Sequence, residues 1–181
     1  MKTAMLIIDV QEALCSGEYA AFEAAQVISR INTVAQLARQ NSVPVIYIQH
    51  EANDGLLEYG TDGWQLAAGL QAQPDDLLIR KTASDSFHNT QLDSLLKNLG
   101  TAHLIICGLQ SDFCVDTTTR RALALGYPVT LIADGHSTMD NGVLTAAQIT
   151  AHHNATLSNL TSFGPRAKAI LAEQIKFNSM P

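Results

Sequence analysis

Residues 102–133 read AHLIICGLQSDFCVDTTTRRALALGYPVTLIA and contain one complete strand–helix–strand unit. Ala102–Cys107 is a short apolar run that fits a strand buried on both faces, and Gly108 closes it. A helix is predicted over about 114–125, ended by Gly126, because glycine tolerates the left-handed turn at a helix terminus. Pro128–Ala133 is the next strand. Two strands joined by a helix belong to a parallel sheet, since a hairpin turn cannot connect them.

The same alternation extends to both sides. Ala4–Asp9 is a first strand, and residues 21–40 carry Val27, Ile31, Val34, Leu37 and Ala38 at helical spacing. Val43–Ile48 and Leu77–Arg80 are strands. Asn89 or Thr90 is positioned to cap a helix that runs through Leu99 and stops at Gly100. Further helices are predicted over 143–156 and 165–176, the latter opened by Pro165, with a sixth strand near Thr156–Leu160. The expected architecture is a three-layer α/β/α fold of Rossmann-like type, with a mostly parallel six-stranded sheet covered on both faces. No linker interrupts the pattern, so residues 1–181 are expected to form one domain. The long irregular stretch 50–76 is of a length usually kept for lids and binding loops.

Composition narrows the partners. The net charge is −6 and only 15% of residues are charged, with no Lys/Arg cluster beyond Arg80-Lys81 and Arg120-Arg121. A nucleic-acid partner is therefore not expected. No apolar stretch approaches the ~20 residues that span a bilayer, so no membrane partner is expected either. The apolar run near the N-terminus ends in Asp9 and reads as a buried strand, not a signal peptide. Cys15, Cys107 and Cys114 are odd in number and spaced unlike a disulfide framework or zinc site, which suits a reducing cytoplasm.

In an open parallel sheet, ligands bind beyond the carboxyl ends of the strands. The polar residues expected there are Asp9 and Gln11, Gln49 and His50, Lys81, the turn leading to Cys114, and Asp134, His136 and Ser137. At a helix N-terminus the Cys114 thiol would be acidified and the neighbouring N–H groups could receive a developing oxyanion. The alternative is a small buried residue closing the helix. Cys107 lies inside a strand and reads as structural, and Cys15 has no evident activator. Alone, Asp9 is either a helix cap, a ligand contact or a base, and Lys81 alone is either a solvated lysine or an electrostatic partner.

Three segments carry a resemblance. GLQSDFCVDTTTRRALALGY at 108–127, LIIDVQ at 6–11 and IRKTASDSF at 79–87 resemble the nucleophile, aspartate and lysine segments of the isochorismatase-like cysteine hydrolases. That superfamily includes nicotinamidases and carbamoylsarcosine amidase. The resemblance implies Asp9 as general base, Lys81 as its cationic partner and Cys114 as nucleophile. It also implies a cis peptide at Leu109-Gln110 and an oxyanion hole from the backbone N–H groups of Gln110 and Cys114. Ser111 stands where the family often has Thr, which keeps the hydroxyl. Nicotinamidases carry an Asp/His metal cluster after the second strand. Here QHEANDGLLEYG offers only His50, so neither a metal nor another cofactor is expected. The isochorismate-cleaving branch typically lacks the cysteine, and this chain keeps it. DGHSTMDNG resembles a stretch in a branch near streptothricin-type lactam hydrolases.

The expected function is cysteine-dependent hydrolysis of a small amide, ureido or lactam C–N bond through a thioester. Gln11, His50, Trp64, Phe87 and Phe113 are expected to line the pocket, each beside a plainer alternative: Trp64 as a packing or dimer contact, Phe87 as core, Phe113 pointing either way and His50 as a structural histidine. His136, His152 and His153 read as structural or subunit-contact residues, and a homo-oligomer is expected by analogy with the family. The alternatives are an esterase-type or isochorismate hydrolase, and a non-catalytic binding or scaffold protein on the same fold.

Overall fold

The structure is a computed structural model, and it describes residues 2–177. Six strands form one sheet in the order β3-β2-β1-β4-β5-β6, and every pairing is parallel. The strands are β1 (Thr3–Ile8), β2 (Val45–His50), β3 (Leu77–Lys81), β4 (His103–Leu109), β5 (Val129–Ser137) and β6 (Ala167–Ile170). The helices are α1 (Glu12–Cys15), α2 (Ala24–Gln40), α3 (Leu92–Leu99), α4 (Asp116–Ala124) and α5 (Ala146–Ser158).

Alternation along β1 divides the core. Ala4, Leu6 and Ile8 face the side covered by Leu92 and Leu96 of α3, Ala122 and Leu123 of α4, and Leu157 of α5. Met5 and Ile7 face the opposite side, packed against Val27, Ile31, Val34 and Ala38 of α2. Both faces are thus buried, which is why β1 and β4 read as unbroken apolar runs instead of alternating ones.

Strand order reverses between β1 and β4, the place where an open parallel sheet leaves a crevice at its carboxyl edge. Gly108, near the end of β4, has φ +116°, and a Cβ there would lie 2.0 Å from the Ile8 carbonyl oxygen. Only glycine lets the two central strands approach so closely at the crevice.

The C-terminal part corrects the sequence reading. Thr156–Ser158 continue α5, whose N-terminus carries a capping box between Thr145 and Gln148, so no strand forms near Thr156–Leu160. The sixth strand is Ala167–Ile170, inside the stretch expected to be helical, followed by a short 3-10 turn at Ala172–Gln174. Pro165 precedes an edge strand rather than opening a helix, a position where its missing N–H costs no ladder bond. The expected helix over 165–176 ran to residues whose pairing with β5 its local pattern could not reveal. Among the described residues, no helix is long and apolar enough to cross a membrane.

Candidate active site

Each functional side chain is delivered by the end of a strand. Asp9 directly follows β1 and has φ +51°, a left-handed conformation uncommon for a residue other than glycine. Lys81 is the last residue of β3, and His50 the last of β2. Cys114 lies in a π-helical turn, Ser111–Val115, that joins β4 to α4. The Leu109-Gln110 peptide at the start of that turn is cis.

Lys81 is the hub. Its Nζ lies 2.7 Å from Asp9 Oδ2, 3.2 Å from Cys114 Sγ, 3.0 Å from the Ala83 carbonyl and 3.1 Å from His50 Nδ1. Both Lys81 and Asp9 are buried, so their attraction is little screened. An ammonium only donates, so Nδ1 of His50 must accept, and the ring carries its proton on Nε2. Burial, then the Lys81 charge, hold the His50 pKa below its ordinary value, in keeping with a neutral ring. The Asp9, His50 and Cys114 ligand atoms lie within 4.8 Å of one another, a spacing that would suit a metal. Lys81 Nζ touches all three residues, so the cation these donors already share is the ammonium.

The thiol environment corrects the sequence reading. Cys114 is 9% exposed, and burial first, then the negative charge of Asp9, push its pKa up to about 12 against the opposing pull of Lys81. The π-helical turn runs without a break into α4, so Cys114 lies in the first turn of a continuous helical segment that begins at Ser111, and burial opposes whatever that terminus contributes. Asp9 Oδ1 is buried and has no hydrogen-bond partner among the described residues, which leaves one carboxylate oxygen able to take the thiol proton.

The five residues expected to line the pocket divide. Gln11 is fully buried and spent on the backbone: its Nε2 donates to the His50 and Trp64 carbonyls, and its Oε1 accepts from His50 N–H. It locks the long loop to the end of β2 and has no role left toward substrate. Gln49 Nε2 also donates to the Trp64 carbonyl. Trp64 is itself buried, edge-on to Tyr59 at 4.8 Å between ring centroids, with its indole N–H unpartnered. Phe87 belongs to the core and stacks on Tyr127, so it supports the site from behind instead of lining it. Phe113 is 55% exposed beside the nucleophile, and His50 is half-buried next to Lys81.

A second set of residues stands behind the cysteine turn, with His136 in a structural role and Asn154 the member the sequence reading did not single out. His136 Nδ1 lies 2.7 Å from Ser111 Oγ, and His136 Nε2 lies 3.0 Å from Asn154 Oδ1. Asn154 Nδ2 donates to the Ala133 carbonyl, so Oδ1 accepts and Nε2 carries the ring proton. Nδ1 therefore accepts from the Ser111 hydroxyl. Burial pushes the His136 pKa down to about 4, which keeps this pattern fixed. The network ties the first residue of the cysteine turn to β5 and α5. Its only sequence signal is the polar run after the expected end of β5. The strand in fact continues through a register shift that sets His136 opposite Gly108. His153 Nδ1 bonds Asp116 Oδ1, and His152 Nε2 faces Thr156 Oγ1.

A parallel α/β sheet with aspartate, lysine and cysteine gathered at its switch point defines the class of protein. The isochorismatase domain model matches residues 3–165, and the chain belongs to the isochorismatase family. Among curated relatives, a streptothricin hydrolase of Streptomyces noursei is 38% identical over 76% of this chain and 50% of its own length. A ureidoacrylate amidohydrolase RutB of Caulobacter vibrioides is 31% identical over 73% of this chain and 75% of its own. The chain thus spans about half the length of the streptothricin hydrolases it matches. Among solved structures, an isochorismatase family protein is 38% identical with TM-score 0.85, covering 93% of this chain and 97% of that one.

Proposed function

We propose that this isochorismatase-family chain is a cysteine hydrolase of a small molecule carrying an amide, ureido or lactam C–N bond. The observation that carries the reading is Lys81 Nζ, placed within hydrogen-bond reach of both Asp9 and Cys114. The relatives' names, streptothricin hydrolase and ureidoacrylate amidohydrolase, support C–N chemistry over ester or vinyl-ether chemistry.

In this mechanism the Cys114 proton passes to Asp9 Oδ1 as sulfur attacks the carbonyl carbon. The N–H groups of Gln110 and Cys114 receive the oxyanion. The tetrahedral adduct collapses, the C–N bond breaks, and the leaving nitrogen takes the proton from Asp9. Water then attacks the thioester, giving one proton to Asp9. The C–S bond breaks, and that proton returns to sulfur. Lys81 donates to Asp9 and stabilises sulfur while it is negative.

A panel of amides, ureido acids, lactams and esters, assayed with the wild-type chain and Cys114→Ala, tests the reading. Turnover of a C–N substrate by the wild type alone is expected. Turnover confined to esters, or equal turnover by the variant, would overturn it.

A further inference from the structure

At the amino ends of β4, β5 and β6, away from the cysteine turn, lies a cavity of about 320 Å³. His103 and Leu109 are the two ends of β4, so the length of that strand, roughly 20 Å at the usual rise, separates the two places. Its walls include Val129, Ile170 and Ile175, and its polar lining includes Arg166, Lys168, Lys176 and His103, with no Asp or Glu.

That charge pattern is unusual for this chain. Among the described residues, seven of the Lys and Arg side chains are seen in ion pairs with Asp or Glu. Arg166 and Lys168 are in none among the described residues, and the Arg166 guanidinium donates only to the Ser158 carbonyl. In a protein of net charge −6, Arg166 and Lys168 thus stand at one apolar hollow without a carboxylate partner among the described residues.

His103 supplies an independent sign. It is buried, its Nε2 lies 3.2 Å from Thr130 Oγ1, and its Nδ1 has no partner. The Nε2–Thr130 contact fits either ring tautomer. The one in which the Thr130 hydroxyl donates to Nε2 puts the ring proton on Nδ1, where an anionic oxygen in the cavity would supply the acceptor it lacks and so select that tautomer.

We propose that this cavity is a binding site for a small amphipathic anion, an aromatic or short aliphatic carboxylate. The apolar body lies against Val129, Ile170 and Ile175, and the carboxylate lies between Arg166, Lys168 and His103. The volume suits a ligand of this size, and the mixture of apolar wall with a few convergent polar groups is that of small-molecule sites generally. The site is separate from the cysteine turn and does not rest on the chemistry proposed there.

The test is an amide NMR titration of the full chain with benzoate, and with benzyl alcohol as the uncharged counterpart. Saturable benzoate shifts are expected at Val129, Thr130, Lys168 and Ile170, with benzyl alcohol far weaker. Lys168→Glu, a change at an exposed position, is expected to weaken benzoate by roughly fivefold. His103→Phe, which keeps the ring volume, is expected to weaken it as well, and alkylation of Cys114 stays unchanged in both variants. Absence of saturable shifts at these amides, shifts confined to Gln110–Cys114, equal binding of benzyl alcohol, or unaltered affinity in Lys168→Glu would each overturn the proposal.

Discussion

Cys107 and Cys114 stand on either side of the same strand end, and both are buried. Cys107 lies within β4, where its Sγ contacts the Leu6 carbonyl at 3.5 Å and burial alone pushes its pKa up. Cys114 lies just past β4, and burial likewise dominates its raised pKa. Burial raises the pKa of both, so the direction of the shift does not separate them. What separates them is reach: only Cys114 has an ammonium at 3.2 Å and a carboxylate oxygen without a partner close by. Reactivity in this fold is a property of the neighbours a strand end can gather, not of the thiol's exposure.

The sharpest break of that comparison is a pair of single substitutions. Cys114→Ala is expected to lower kcat by about 10⁴-fold or more. Cys107→Ala is expected to leave kcat unchanged and cost about 1–2 kcal/mol in urea unfolding. Removing the hub comes next. Lys81→Met strands the buried Asp9 carboxylate, with an expected loss of about 3–5 kcal/mol in stability as well as activity. A smaller effect is expected behind the cysteine turn. His136→Phe removes the acceptor at 2.7 Å from Ser111 and leaves it only the Thr150 hydroxyl at 3.2 Å, at an expected cost of about 1 kcal/mol, and kcat falls with KM little changed. His136→Gln can accept from Ser111 and donate to Asn154, so it is expected to rescue kcat, whereas a merely space-filling role would favour Phe.

The mildest effect concerns pH. Because the Cys114 pKa is raised, its thiolate fraction is small near neutrality and grows as pH rises toward about 12. Iodoacetamide labelling of Cys114 is expected to climb through alkaline pH without a plateau near neutrality. The Asp9 charge is one of the causes raising that pKa, so Asp9→Asn is expected to speed labelling severalfold while abolishing turnover. A slower-labelling Asp9→Asn chain would contradict the electrostatics.

The β1-to-β5 frame and the Asp9, Lys81 and Cys114 positions were legible in the sequence, since each strand is a distinct apolar run ending in a polar residue. The β6 region was not, because an edge strand of four residues has no periodicity to distinguish it from a helical turn. The burial of Cys114, which opposes the acidification expected of a helix start, was not legible for a related reason. Sequence suggests the helix start but neither its π-helical form nor the depth of burial. Gln11 looked like a ligand contact because it sits two residues after Asp9. Its three bonds to backbone are long-range and carry no local signature. The His136 network was hidden behind the register shift in β5 for the same reason.

The central claim is tested most directly by acid-quenching the chain during turnover of a hydrolysed substrate and mapping any acyl adduct by peptide mass spectrometry. The account expects a thioester on Cys114 and none on Cys107 or Cys15. An adduct on another side chain, or none anywhere while Cys114→Ala still turns over, would contradict it.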